Sequence, residues 1–166
     1  MSGREELVRR AQAYANRTGR ALGKQLGSGV HGIVFAVESQ TEPGRAAIKV
    51  HERERDYCRE RDIYLRLLDH GTTEIRGCAV PEMIGYDNDS WIIEMTIVVR
   101  PFVLDFAGAY LDQAPDFPEE VLADWRADKE EQFGPRWPEV LAILRALEAQ
   151  GIYMEDVSPG NIGFAD

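Results

Sequence analysis

The sequence predicts an α+β fold built on a five-stranded antiparallel sheet, and three observations carry that prediction. Three β-forming runs (ALGKQL, IVFAVES and RAAIKV) follow one another from Ala21 with turn residues between them, the pattern of an antiparallel meander. Helical spacing of apolar residues then returns over 52–68, followed by two more β-rich runs. The second half of the chain is mostly helical in pattern.

Taken in order, residues 4–18 place Leu7, Ala11, Tyr14 and Ala15 on one stripe, and Gly19 stops that helix. The three meander strands come next, with GSGVHG joining the first two and Pro43-Gly44 turning into the third. The following helix gathers Tyr57, Glu60, Ile63, Tyr64 and Leu67 on one side. Strands four and five are expected near Met83–Tyr86 and Trp91–Val98. A connecting region from Arg100 to about Gly134 has Pro118 where the first turn of a helix tolerates it. Pro138 then opens a helix with Val140, Ile143, Leu144 and Leu147 in register, ended by Gly151. Two units are expected: 1–99, an N-terminal helix with the sheet, and 100–166, a reduced and mainly helical unit.

The chain has 166 residues, 44% of them hydrophobic, enough for one core. Its 19 Lys and Arg against 29 Asp and Glu give a net charge of -10. Such a surface repels phosphate backbones, which argues against nucleic-acid binding. Eight acidic residues fall between Asp112 and Glu131, so a solvated face is expected there. The apolar runs are too short and too interrupted to span a membrane. MSGREELVRR lacks the apolar stretch of a secretory signal, and a cytoplasmic location is expected. Cys58 and Cys78 have neither metal-ligand spacing nor disulfide density. Trp91, Trp125 and Trp137 are expected to pack.

Three sequence features carry chemistry. In LGSGVHGIVFAV, Gly27, Gly29 and Gly32 keep Gly-x-Gly-x-x-Gly spacing, with Ser28 inside the loop and Val34 just beyond it. Such a loop lets backbone N–H groups approach a polyphosphate. A dinucleotide fingerprint would open a helix, but Ile33–Val37 is β-forming, so this loop joins two strands. Next, Lys49 interrupts an apolar strand and needs a carboxylate. Glu60 is the first candidate because it shares a helix face with Tyr57 and Ile63, while Glu54 and Glu52 are alternatives. Finally, IYMEDVSPGNIGFAD sets Asp156 and Asn161 at Asp-x-x-x-x-Asn spacing. A carboxylate there can act as a general base, and an amide oxygen can bind Mg²⁺.

Together these motifs resemble the protein-kinase-like superfamily, which includes eukaryotic-type protein kinases and aminoglycoside phosphotransferase-like enzymes. The resemblance runs from about Ala21 onward. It implies a kinase-like sheet lobe with one crossing helix, a hinge near Glu94–Ile97 that receives adenine, and a reduced helical lobe. It also implies ATP and Mg²⁺ as cofactors. Asp156 would be the catalytic base, and Lys49 held by Glu60 would bind phosphate. Gly27, Ser28, Gly29, Gly32 and Val34 would cover the nucleotide, with Asn161 on the metal. The acceptor would be an unknown hydroxyl compound or a protein partner.

The sequence also departs from the family pattern. Met154 and Glu155 stand where a His-Arg pair is usual, and Ser158 where protein kinases carry a lysine. The Asp-Phe-Gly motif expected after Asn161 does not follow it, and Asp166, in Phe-Ala-Asp, is the candidate substitute metal ligand. A pseudokinase-type module that binds nucleotide without transfer is the alternative reading.

Overall fold

The computed structural model describes residues 2–41 and 44–166, so the Pro43 part of the expected turn lies outside the described residues. It begins with α1 (Gly3–Arg17), closed at its start by a capping box: the Glu5 N–H donates to Ser2 Oγ at 3.2 Å and the Ser2 N–H to Glu5 Oε2 at 2.8 Å. Strands β1 (Arg20–Gly29), β2 (Gly32–Ser39) and β3 (Arg45–His51) follow, then α2 (Glu54–Asp69). Two short strands, β4 (Glu74–Ile75) and β5 (Cys78–Ala79), precede β6 (Met83–Asp87) and β7 (Ile92–Thr96). The rest comprises β8 (Phe102–Val103), β9 (Tyr110–Leu111), α3 (Glu119–Phe133), α4 (Trp137–Glu148), β10 (Ile152–Tyr153) and β11 (Ile162–Gly163).

The main sheet has five antiparallel strands in the order β1-β2-β3-β7-β6. The expected meander is therefore present, and β7 inserts beside β3. Both faces of the sheet are covered, and the strand period of two divides the side chains between them. Ala46, Ile48 and Val50 of β3 join Ile33, Phe35 and Val37 of β2 against Leu7, Ala11 and Tyr14 of α1. Ala47, Lys49 and His51 alternate with them and lie on the opposite side. Lys49 is 6% exposed and His51 is 0% exposed, so each needs a partner in the protein.

The opposite face carries the larger core. Tyr57, Ile63, Tyr64 and Leu67 of α2 pack with Ile93 and Met95 of β7, and the same cluster continues into Phe106, Ile143, Leu147 and Ile162. Each such side chain contributes about 1.5–3 kcal/mol on burial. The core is thus continuous across residue 99, where two units were expected to meet.

The second half carries the two helices the sequence implied and contributes strands to two small sheets, β10-β9 and β11-β8-β5-β4. α4 starts at Trp137 with Pro138 in its first turn, and Pro118 caps α3 rather than lying inside it. All eight acidic residues between Asp112 and Glu131 are exposed, so the charge run is a solvated face. Trp125 and Phe133 pack on Trp137, each with ring centroids 6.3 Å apart. Among the described residues no helix is long and apolar enough to cross a membrane.

One pairing in this half decides the position of the site. β8 lies between β11 and β5, antiparallel to β11, with Val103 opposite Ile162 and Phe102 opposite Gly163. The Leu104 N–H continues the ladder by donating to the Asn161 carbonyl at 2.9 Å.

Candidate functional site

A cleft of about 570 Å³ lies between the main sheet and the loops that follow β8 and β10. Gly27, Ser28, Gly29, Gly32 and Val34 line it from the β1–β2 side, with Lys49 and Glu60 at its back. Asp105, Asp156 and Asn161 line it from the other side. Apart from Asp166, every residue given a catalytic, nucleotide-binding or metal role in the sequence therefore lines one cavity.

The three glycines do different jobs. A side chain at Gly32 would place its Cβ 2.0 Å from the Val50 carbonyl oxygen, and the residue has φ +152. Only glycine lets β2 pass this close to β3. At Gly27 and Gly29 a Cβ would meet nothing within 4 Å. Their bareness is not required by packing, and it leaves backbone open toward the cleft.

Lys49 Nζ donates to Glu60 Oε2 at 2.8 Å and to Asp105 Oδ1 at 3.0 Å. Glu60, the first of the three carboxylates considered, is thus the α2 partner. Its side chain is 1% exposed, and it also lies 2.8 Å from His51 Nε2. The other His51 nitrogen faces the Trp91 carbonyl at 3.1 Å. Burial pushes the Glu60 carboxyl up, but the Lys49 ammonium and the His51 bond outweigh it and bring the pKa down to about 2. Burial likewise disfavours charge on Lys49, and the Glu60 and Asp105 carboxylates reverse this, raising its pKa above the ordinary lysine value.

Asp105 is the residue that sequence reasoning missed. Its backbone has φ 68, a left-handed conformation uncommon for any residue but glycine. Such conformations concentrate at functional positions. The next residue, Phe106, is fully buried and packs edge-on against Tyr64 of α2 with centroids 5.5 Å apart. Tyr64 lies one helical turn after Glu60, so the same contact braces both carboxylates that hold Lys49. The available signal was FVLDFAGA, a carboxylate within a run whose neighbours Val103, Phe106 and Ala107 are all fully buried.

Asp156 and Asn161 sit on the loop between β10 and β11. The Asn161 side-chain amide donates to the Asp156 carbonyl at 3.0 Å, and the Asn161 and Ile162 N–H groups both donate to the Ser158 carbonyl. These bonds fold the loop back on itself and turn the amide oxygen of Asn161 away from Asp156. Asp166 is exposed and does not line the cleft. Asp105 follows Leu104, whose N–H closes the β8–β11 ladder on the Asn161 carbonyl, and Asp105 and Asn161 both line the cleft.

Among the described residues no group of three or more His, Cys, Asp or Glu could hold a metal ion. One carboxylate from Asp105 and one amide oxygen from Asn161 form a smaller set. It suits Mg²⁺, which takes one or two protein oxygens and fills its shell with water and phosphate oxygens.

The far end of the cleft is apolar. Leu26, Val34, Ala47, Met95, Phe102 and Leu104 line it, next to Ile97 and Val98 just beyond β7. Among the described residues, no hydrogen bond engages the backbone of Ile97 or Val98. Behind this edge, Tyr14 of α1 donates its hydroxyl to Glu94 Oε2 at 2.9 Å. Arg20 Nε lies 2.9 Å from Glu94 Oε1 but off the line of a hydrogen bond, so charge attraction alone holds that pair.

No family model and no curated protein matches the chain. The chemistry of the cleft therefore rests on its own geometry: apolar side chains beside the free backbone of Ile97 and Val98, a bare glycine loop, a buried lysine, and two carboxylates with an amide from the loops that follow β8 and β10.

Proposed function

We propose that the protein is a kinase-like nucleotide-binding protein that transfers the γ-phosphate of ATP to a hydroxyl acceptor. The observation that carries this reading is the convergence of the glycine loop, Lys49, Asp105, Asp156 and Asn161 on one cavity. The apolar slot suits adenine, whose edge would meet the free N–H and C=O groups of Ile97 and Val98. Lys49 is positioned by two carboxylates to bind phosphate oxygens, and the open backbone of Gly27 to Gly29 can cover them. Asp105 and Asn161 would hold a divalent cation, which when bound neutralises phosphate charge. Asp156 is exposed at the cleft mouth, where it can orient an acceptor hydroxyl and take its proton. Such a base contributes about 10²–10⁴ in rate. In this reading the Asp-Phe pair that the kinase-like family carries after its catalytic loop is supplied by Asp105-Phe106, which precede that loop in the chain.

The test is transfer of label from γ-labelled ATP to a panel of hydroxyl compounds. Asp156→Ala should abolish transfer while leaving the affinity for a non-hydrolysable ATP analogue in place. Transfer that persists in Asp156→Ala removes that residue from the chemistry.

One observation favours the alternative of binding without turnover. Among the described residues, Lys49 is the only Lys or Arg that lines the cleft. With Ser158 in place of a second cation, charge on the transferring phosphoryl group is less well neutralised. Thermal stabilisation by Mg-ATP with no label transferred to any acceptor selects that reading.

A further inference from the structure

A second cavity of about 450 Å³ opens on the other side of Asp156. It is lined by His31, Arg55, Asp56, Arg59, Gly108, Tyr110, Glu155 and Asp156. Two of these residues, His31 and Asp156, also line the nucleotide-sized cleft, so the two cavities meet at the proposed base. A group bound in the second cavity would reach Asp156 from the side opposite the phosphates.

The walls of this cavity are unlike in charge. α2 contributes Arg55 and Arg59, whereas the loop after β10 contributes Glu155 and Asp156. On the α2 wall Asp56 is already engaged, 3.1 Å from His31 Nδ1 and 3.7 Å from Arg55 Nε. Arg59 is different. Its guanidinium carbon lies 5.0 Å from the Tyr110 ring centroid, and it makes no ion pair among the described residues. Stacking occupies the face of a guanidinium and leaves its edge N–H donors free. The Tyr110 hydroxyl beside it also makes no hydrogen bond among the described residues.

The Arg59 stack is not needed to fasten α2 to this part of the chain. Arg66 already does so two helical turns along α2, with a two-pronged ion pair to Asp112 at 2.8 and 2.7 Å and a bond to the Gln150 carbonyl. Arg59 is thus a half-buried cation with unused donors, aimed into a cavity that ends at the proposed base.

Resting on the phosphotransfer reading, we infer that the acceptor is a small hydroxyl compound carrying a carboxylate or phosphate, with the anionic group on Arg59 and Arg55 and the hydroxyl on Asp156. A planar guanidinium edge matches either oxyanion. Glu155 and Asp156 repel the same anion from the opposite wall, so a molecule with one charged end enters in one orientation. In the transfer step the Asp156 carboxylate takes the hydroxyl proton. The acceptor oxygen bonds to the γ-phosphorus as the bond to the bridging oxygen breaks, and ADP leaves with that electron pair.

The experiment separates binding from turnover. The full chain, saturated with Mg²⁺ and a non-hydrolysable ATP analogue, is titrated with D-glycerate and inorganic phosphate as anionic probes, glycerol as the neutral control and choline as the cationic one. The readout is protein NMR shifts at Arg59, Tyr110 and Asp156. D-glycerate and phosphate should bind saturably, and Arg59→Gln should weaken both by roughly tenfold or more, the loss of one charge-assisted contact. Arg59→Lys should retain part of the affinity, and the analogue should bind all variants alike.

The inference is overturned if glycerol or choline binds as tightly as D-glycerate, or if Arg59→Gln leaves anion binding unchanged. Anion binding at these residues without label transfer to any acceptor keeps the site and removes the phosphotransfer reading. Transfer to neutral or cationic acceptors alone does the reverse.

Discussion

The Leu104 N–H donates to the Asn161 carbonyl across 2.9 Å, and this bond at the end of the β8–β11 ladder sets Asp105 beside the loop that carries Asp156. Asp105 in turn reaches Lys49 at 3.0 Å. Three segments far apart in sequence are so joined through one carboxylate.

Asp105 and Asp166 should therefore behave oppositely. Asp105→Asn removes the carboxylate that accepts from Lys49. On the proposed phosphotransfer reading it should lower Mg²⁺-dependent label transfer by roughly a hundredfold or more, the scale of losing one charged stabiliser in a water-poor site. Asp166→Asn alters an exposed end and should leave transfer within about twofold, as surface changes usually do. Equal effects in the two variants would contradict the placement of Asp105.

Breaking the buried pair should be costly whatever the chemistry. Glu60→Gln leaves Lys49 and His51 without their shared carboxylate oxygen, and such losses cost about 3–5 kcal/mol. Urea unfolding of the variant against wild type measures this directly. Lys49→Met leaves Glu60 with His51 alone and should also destabilise the fold.

The same pair predicts an acid response. The Glu60 pKa lies below its ordinary value of 4.5, at about 2. Its contribution to stability is therefore fully present above about pH 4.5 and lost as pH falls toward 2. The difference in unfolding free energy between wild type and Glu60→Gln should shrink as pH falls across that window. A difference that grows on acidification would place the charge elsewhere.

The glycine loop offers a separation of fold from binding. Gly32→Ala puts a Cβ against the Val50 carbonyl and should lower the melting temperature sharply. Gly29→Ala meets nothing in the protein, so its melting temperature should be close to wild type. Its affinity for the ATP analogue should fall, because the methyl group occupies the approach to the backbone. Calorimetry and analogue titration on both variants distinguish the two roles.

At the back of the sheet, Tyr14→Phe removes the donor to Glu94 Oε2 and leaves a buried carboxylate oxygen unsatisfied. The expected loss is about 1–3 kcal/mol. If stability is unchanged, the Tyr14 hydroxyl contributes nothing to holding α1 on the sheet.

Much of this was legible in the sequence because the signals are local. The stripe of Leu7, Ala11 and Tyr14 follows helical spacing, and the alternation of Ala46, Ile48 and Val50 around Lys49 follows strand spacing. Glycine at positions 27, 29 and 32 between two β-forming runs marks a strand-to-strand loop. Glu60 could be chosen over Glu52 and Glu54 because helix geometry puts it on the face of Tyr57 and Ile63. Each of these inferences needs only neighbours within a few residues.

Asp105 was not legible in that way. Its role comes from a two-residue strand whose partner lies at Ile162, and no local pattern predicts a pairing between segments so far apart. Sequence order placed the expected second carboxylate after Asn161, which led to Asp166. Only the folded chain could show that a carboxylate from before α3 lines the cleft together with Asn161. The second cavity is likewise tertiary, since Arg59 and Asp156 meet only when α2 and the loop after β10 pack together. By itself the sequence determined which residue types stand on which local faces, because backbone periodicity fixes side-chain direction. Which of those faces look at one another depended on long-range strand pairing and core closure, and these decided the site.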